Sequence, residues 1–410
     1  MKWTPTLTYW LLTESSIIGA IAAPSQYRHL SFFFVLSLIF YQVFFTKIDI
    51  GGELMAECGI GIRLFAQLVS ASYYLLLNDA QRDLRITGDK DSIALKPLHS
   101  RLWWAAHLYV NPRAVGWSHE ARGKLPPRPT DKTTLSFTIS QLSFVARCFL
   151  FYTVAVYLSH QNPYFNRYGD PSDVTGIARL WRLGTVLYFV MVSLGLSIQY
   201  TYLSIVWVTL GLSKPQDWPR LFGSPADMYT IRRFWGVGWH QMFRGGFSSH
   251  ADFFAKALNL PAKSKLTTYF KLFAVFAISA CMHHLADVGI LHSWTKSGAI
   301  EFFLLQAVGI MVEDGMLALA RRAGFKASLF TRILGYGWVL AWFGFCMPRW
   351  IDPIVPIGYI DELCGFGFNH DALHRIIADA WRRGTLLRAF KHAASFNSSS
   401  PLLHVFDISP

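Results

Sequence analysis

The chain has 410 residues, of which 52% are hydrophobic, 16% aromatic and only 15% charged. A soluble domain of ordinary composition carries about 25% charged residues, and no polar linker divides this chain into the two or three domains that a soluble protein of this length would have. The net charge of +13 would suggest a nucleic-acid partner in a soluble protein. Because the basic residues fall mainly between hydrophobic runs, we predict an integral membrane protein with no nucleic-acid partner.

Hydrophobic runs recur along the chain as far as residue 350. A helix that crosses a bilayer needs about 20 apolar residues, and eight runs approach this length: 6–23, 30–46, 55–77, 134–159, 183–211, 266–291, 298–320 and 329–350. The first run resembles a cleaved signal peptide, but Glu14 interrupts its apolar part, which favours a retained helix. Glu57 and Arg63 within 55–77 indicate a helix partly inside a bundle. The run 183–211 is long for one crossing and must tilt or break.

Two long polar insertions set the predicted topology. The insertion 78–133 contains ten Lys or Arg residues and the insertion 212–265 contains eight, whereas 160–176 contains a single Arg. Two crossings separate the two basic insertions, so both lie on one side, and the positive charge predicts that this side is cytosolic. The segment 160–176 is then luminal. We predict one membrane domain over 1–350, followed by a C-terminal tail over 351–410.

The second insertion carries an unusual run of aromatic and polar residues. It reads Arg232-Arg233-Phe234-Trp235-Gly236-Val237-Gly238-Trp239-His240-Gln241, and Arg244 follows. Trp235 and Trp239 are four residues apart and would share one helical face. One interpretation is an aromatic belt at the membrane boundary with snorkelling arginines. The alternative is a site for an anionic ligand such as a nucleotide phosphate, because several donors lie beside a flexible glycine backbone.

A second cluster of polar residues lies inside the run 266–291. Placing ionisable side chains in a membrane costs free energy unless they face a partner or a cavity. Such side chains therefore indicate a functional site by default, and here they are His283, His284 and Asp287. His283 and Asp287 are four residues apart, and the carboxylate could orient the imidazole. The alternative is a pair of hydrogen-bonded residues that joins helices. No His or Cys spacing is typical of a metal site, and we predict neither a metal nor a tightly bound cofactor.

These two segments together resemble the membrane-bound O-acyltransferases, in particular the wax-synthase-like branch of fungal secondary metabolism. That branch has a Phe-Trp-Gly-x-x-Trp-His-Gln motif, here Phe234–Gln241, followed by an intramembrane Ser-Gly/Ala-x-x-His motif, here Ser279–His283. The layout agrees over most of 55–350, and residues 113–117 look like a weaker further element. The family often has basic residues where this chain has Val237 and Gly238, which shifts the expected phosphate contacts to neighbouring arginines.

The resemblance implies roles for individual residues. His283 matches the intramembrane catalytic histidine of the family, and His240 matches a second catalytic position that is Asn in other branches. The residues expected to bind the acyl-CoA are Arg233, Trp235, Trp239, Gln241 and Arg244. In chemical terms, a base must remove the proton of the attacking hydroxyl, and a donor must stabilise the oxyanion that forms. We expect direct transfer, because no nucleophilic Ser or Cys stands out.

The implied function is transfer of acetyl from acetyl-CoA to a hydroxyl of a terpenoid or meroterpenoid, in a membrane that we expect to be the endoplasmic reticulum. One alternative is a wax ester synthase that uses a long-chain acyl-CoA and a fatty alcohol. Another is a transporter in which the histidines relay protons, although the chain lacks the inverted repeats typical of that class.

The two histidines raise a geometric question. His283 is 17 residues into its run, or about 26 Å along a helix, whereas His240 belongs to a cytosolic insertion. Part of 233–260 must therefore fold back to membrane depth inside protein, since irregular backbone is not tolerated against lipid. The sequence thus predicts an all-α polytopic protein with about eight transmembrane helices around an intramembrane catalytic cavity.

Overall fold

The computed structural model describes residues 5–46, 53–89, 91–121, 123–162 and 184–364. Over these residues the secondary structure is helical apart from one isolated antiparallel bridge between Ile86 and Trp117. The predicted all-α polytopic class is confirmed. Most of the predicted luminal segment 160–176 and of the predicted tail 351–410 lies outside the described residues.

Thirteen α-helices lie in the described part of the chain. In order they are α1 (Pro5–Ala22), α2 (Arg28–Phe45), α3 (Leu54–Ser72), α4 (Ala80–Asp83), α5 (Leu98–Tyr109), α6 (Thr134–His160), α7 (Thr185–Thr209), α8 (Ile231–Arg233), α9 (Arg244–Ala257), α10 (Lys265–Leu291), α11 (Ala299–Arg322), α12 (Leu329–Ile351) and α13 (Tyr359–Cys364). The insertion 212–265 thus folds into short helical pieces and α9.

Seven of these segments are long and apolar enough to cross a membrane, by length and composition, among the residues described. They are Ser25–Phe45, Leu54–Leu77, Thr134–His160, Thr185–Thr209, Lys265–Leu291, Ala299–Arg322 and Leu329–Ile351. The remaining predicted run, 6–23, forms α1, in which the described apolar part is Leu7–Ala22. The chain is a multi-pass integral membrane protein.

The helices group into two compact units that alternate along the chain, one drawn from 1–122 and 242–311 and the other from 123–241 and 312–410. In the first unit, α1 packs against α2 and α5, and α3 packs against α2 and α10. Arg63 in α3 donates two hydrogen bonds to Glu14 in α1, at 2.6 and 2.9 Å, and Glu57 is buried. The prediction that this segment lies partly inside a bundle is confirmed.

The crossing of α3 and α10 depends on Gly61, because a Cβ there would lie 2.5 Å from the Ala286 Cα atom. We expect Gly61→Ala to force the two backbones apart and to destabilise the protein by about 1–3 kcal/mol. The thermal unfolding midpoint in detergent should therefore fall by several degrees. Gly59→Ala is the matched control, since Gly59 lies in the same helix with nothing within 4 Å. Equal midpoints for the two variants would contradict this account.

In the second unit, α6 packs along α7, and α7 packs against α12. Helix α7 is continuous over 25 residues, or about 37 Å, so the break considered for the run 183–211 does not occur within it. Buried side chains of α7 and α12, including Phe189 and Phe343, face each other at 5.3 Å between ring centroids. These two helices form the surface on which the candidate site of this unit is built.

Candidate active site

Residues 234–241, which we call the Trp-His block, follow α8 in the second unit. The backbone first makes a five-residue π-helical turn, Phe234–Gly238, in which the Trp239 N–H donates to the Phe234 carbonyl at 2.6 Å. Trp239 then has an extended backbone, which ends the turn. The Trp235 and Trp239 rings lie 5.8 Å apart. The two rings therefore meet as their spacing predicts, although a π turn rather than an α-helical face brings them together.

Aromatic packing anchors the Trp-His block to membrane-spanning helices. The Trp239 ring lies 4.9 Å from Phe189 in α7 and 5.0 Å from Phe222. The Phe234 ring lies 4.7 Å from Phe343 in α12. Phe343 is 14 residues after the start of α12, or about 21 Å along it. These contacts bring part of the second insertion against two membrane-spanning helices, as expected for a segment that folds back inside protein; its depth in the bilayer stays a prediction.

The segment before α8 supports the Trp-His block through a close backbone approach. The Gly223 N–H donates to the Gly238 carbonyl at 2.8 Å. A Cβ at Gly223 would collide with the Val237 carbonyl oxygen, and one at Gly238 would lie 2.6 Å from Met228 Cγ. At Gly223 the obstacle is backbone, so a larger residue does not fit there unless the backbone shifts. At Gly238 the obstacle is the Met228 side chain, which would have to move to admit a larger residue.

His240 and Gln241 have different surroundings. The His240 ring lies 5.8 Å from Phe222 and 5.4 Å from Trp239, so two aromatic rings fix its position. The Gln241 side chain is buried, and its amide nitrogen donates to the carbonyls of Trp235 and Trp239 at 3.0 and 2.6 Å. Both amide hydrogens are thus used on the backbone. We infer that Gln241 maintains the shape of the Trp-His block.

Two arginines next to the Trp-His block form ion pairs within the same unit. Arg232 donates to Asp314 in α11 from its Nε and Nη2 atoms, at 3.0 and 2.5 Å. Arg233 pairs with the Asp227 carboxylate and also donates to the Asp227 carbonyl at 2.8 Å. Because each guanidinium already has a carboxylate, its charge is balanced locally. The expected phosphate contact of Arg233 remains a prediction.

Arg244 lies in the first unit, at the start of α9. Burial lowers the pKa of Arg244, yet an arginine remains charged at neutral pH. The first turn of α9 is held against α3 by His250, whose Nδ1 donates to the Gly246 carbonyl at 2.7 Å and whose Nε2 lies 2.8 Å from the Ser72 hydroxyl. A partly buried, charged arginine at the N-terminus of a helix is in an unfavourable position. A neighbouring anion would stabilise its charged form.

His283 lies in α10, in the first unit, 18 residues or about 27 Å from the start of the helix. Its Nδ1 atom is 2.9 Å from the Ser279 carbonyl oxygen. A carbonyl oxygen can only accept, so Nδ1 carries the hydrogen, and in the neutral ring Nε2 carries the lone pair. The Phe303 ring of α11 stacks on the imidazole at 4.4 Å. These two contacts fix both the tautomer and the orientation of the ring.

Asp287 is buried one turn after His283 and accepts a hydrogen bond from the Ser297 hydroxyl at 2.5 Å. Ser297 lies in the connection between α10 and α11, so this bond ties that connection to α10. The contact identified at His283 Nδ1 is with Ser279 rather than with the carboxylate. The backbone carbonyl of Ser279 therefore orients the His283 ring at Nδ1, which is the role that had been considered for Asp287.

Sequence reasoning missed several residues that pack around the Trp-His block in the second unit or around His283 and Asp287 in the first. They are Phe222, Gly223, Ser297 and Phe303. The glycine next to an aromatic residue, shortly before the Trp-His block, could have suggested a close backbone approach. The other three are ordinary residues in a membrane protein, and no sequence pattern marks them.

The chain resembles known proteins over most of its length. Residues 218–305 match the model of the "Membrane bound O-acyl transferase family", and this segment contains both His240 and His283. Acetyltransferase ple2 of Rhodocybe pseudopiperita is 32% identical over 83% of this chain and 88% of its own length. Acetyltransferase eriL of Hericium erinaceus is 32% identical over 89% and 94%, respectively. Acetyltransferase spyB of Aspergillus fumigatus is 29% identical over 77% and 58%. No solved structure matches the chain at a significant level.

Proposed function

This chain belongs to the membrane bound O-acyl transferase family, and we propose that it transfers acetyl from acetyl-CoA to a hydroxyl of a terpenoid or meroterpenoid alcohol. The chain is an O-acyltransferase, and its co-substrate is an acyl-CoA. The names of the relatives support acetyl as the acyl group. The resemblance to a branch of fungal secondary metabolism supports the terpenoid acceptor, which would arrive through the bilayer.

The observation that carries the proposal is the hydrogen bond from His283 Nδ1 to the Ser279 carbonyl. It leaves Nε2 as the basic atom of a neutral imidazole at membrane depth. In the proposed reaction, Nε2 takes the proton of the acceptor hydroxyl while the oxygen attacks the thioester carbonyl. The C–O bond forms, the C–S bond breaks, and the proton passes from Nε2 to the departing CoA sulfur. Ester and free CoA are the only products.

His240 is proposed as the donor to the oxyanion of this reaction. Its ring is held by Phe222 and Trp239, and a donor with a fixed position stabilises developing charge without having to reorganise. Transfer in this scheme is direct, with no acyl-enzyme. We place the enzyme in the endoplasmic reticulum membrane, with both basic insertions on the cytosolic side where acyl-CoA is found.

Arg244 is proposed to contact a phosphate of the CoA moiety. We expect Arg244→Ala to raise the KM for acetyl-CoA by about 10- to 100-fold, the factor expected for a hydrogen bond to a charged group, and to leave the KM for the alcohol unchanged. Lys256→Ala is the matched control, because it removes the same charge from the last turn of the same helix. Equal changes in both KM values would argue against a phosphate contact.

The function is tested with microsomes from cells that express the chain, supplied with labelled acetyl-CoA or palmitoyl-CoA and a panel of terpenoid and fatty alcohols. We expect labelled acetyl esters of a terpenoid alcohol, which microsomes from cells without the chain do not form. Palmitoyl transfer to fatty alcohols would replace the proposal by wax ester synthesis. No transfer from either donor would contradict it.

A further inference from the structure

We propose that Glu313 is a positioning residue for acyl transfer, because its carboxylate holds the helical turn from which the Trp-His block extends. This inference rests on the proposed function of His240, which lies at the end of the Trp-His block. Glu313 lies in the part of α11 that belongs to the second unit. The residues whose contacts with Glu313 are described below belong to the same unit.

The carboxylate of Glu313 receives the first N–H groups of α8. The Ile231 N–H donates to Oε2 at 2.6 Å and the Arg232 N–H donates to Oε1 at 3.2 Å. The next N–H, that of Arg233, is accepted by the Thr230 hydroxyl at 3.0 Å. The first N–H groups of a helix have no partner within it. At α8 a buried carboxylate from another helix and one capping side chain supply those partners.

A third donor fixes the carboxylate itself. The indole N–H of Trp338 in α12 donates to Glu313 Oε2 at 3.2 Å. Glu313 is 3% exposed and lies nine residues before the end of the membrane-spanning helix α11, about 13 Å from that end. A buried carboxylate is costly unless hydrogen bonds compensate for lost water. Three N–H donors supply this compensation, and two of them belong to α8.

The turn held by Glu313 continues directly into the Trp-His block. Helix α8 ends at Arg233 and the π-helical turn begins at Phe234. A displacement of Ile231 would therefore shift the π turn and also the ring of His240, which lies two residues beyond the end of that turn. A proton path or simple helix packing would also account for a carboxylate in a membrane-spanning helix. The contacts instead point to control of the backbone that carries His240.

The neighbouring residue Asp314 provides a matched control. It carries the same charge in the same helix, and it accepts two hydrogen bonds from the partly exposed side chain of Arg232. An exposed ion pair contributes little. Removing the Asp314 carboxylate should therefore leave the Trp-His block in place, whereas removing that of Glu313 should release it.

The first test needs no activity. Hydrogen exchange is measured by mass spectrometry on the full chain in detergent for Glu313→Ala, Glu313→Gln and Asp314→Asn. We expect exchange in peptides covering 231–241 to accelerate by about 10- to 100-fold in Glu313→Ala, the factor carried by one hydrogen bond to a buried charge. Glu313→Gln keeps one acceptor oxygen and should accelerate less, and Asp314→Asn should match the original chain. Unchanged exchange in Glu313→Gln and Glu313→Ala would overturn the proposal.

The second test is a double-mutant cycle on acyl transfer. Glu313→Ala should lower kcat by about 10- to 100-fold per folded molecule, with partial rescue in Glu313→Gln and little change in KM for the alcohol. In a His240→Ala background the same change should have no further effect, because both act through one group. If the reductions in kcat from the two substitutions multiplied in the double variant, the positioning role of Glu313 would be overturned. Accelerated exchange in a chain with no transferase activity would instead count against the proposed function alone.

Discussion

Replacing His283 by alanine is expected to lower the rate of acyl transfer by about 10²- to 10⁴-fold, the contribution of a positioned general base. The ring is fixed at Nδ1 by the Ser279 carbonyl and on one face by Phe303, and alanine removes the Nε2 atom to which the proton transfer is assigned. The measurement is kcat on purified protein, normalised to the amount that elutes as a folded species.

The adjacent histidine provides the control for this variant. His284 leaves the helix in a different direction, with its ring 6.2 Å from that of Trp294. His284→Ala removes the same side chain from the same helix and should keep most of the activity. Normal turnover in His283→Ala, or equal losses in the two variants, would contradict the assignment of His283 as the base.

The second large effect is expected at His240. Loss of an oxyanion donor typically lowers kcat by about 10²- to 10³-fold, and His240→Ala should do so with little change in the KM for acetyl-CoA. His240→Asn is the informative comparison, because the amide keeps a donor and the resemblance places Asn at this position in other branches. We expect the Asn variant to be clearly more active than the Ala variant. If the two were equally inactive, His240 would act through proton transfer rather than hydrogen bonding.

The membrane helices could be predicted from the sequence because hydropathy and length determine which segments cross. Runs such as 266–291 and 329–350 correspond closely to α10 and α12. The run 6–23 likewise corresponds to α1, whose described apolar part is Leu7–Ala22.

The candidate residues could be identified from the sequence, but their contacts could not. His283 could be identified because an ionisable side chain is unfavourable inside a membrane. The hydrogen-bond partner of its Nδ1 is a backbone carbonyl, which no sequence pattern indicates. Arg233 looked suited to a phosphate, and only the fold shows its pairing with Asp227. Glu313 lies in the predicted run 298–320, but the N–H group that it accepts from belongs to Ile231, 82 residues earlier in the chain. Contacts of this range arise from tertiary packing, which local patterns do not encode.

This chain alone is expected to couple the cleavage of acetyl-CoA to the formation of an ester by direct transfer. The most direct measurement follows free CoA thiol and labelled acetyl ester together, with purified protein in lipid nanodiscs and an alcohol that serves as acceptor. We expect thiol and ester to appear in equal amounts, and neither to appear when the alcohol is omitted. Release of thiol without alcohol would contradict direct transfer, and the absence of both products with alcohol present would contradict the enzymatic account.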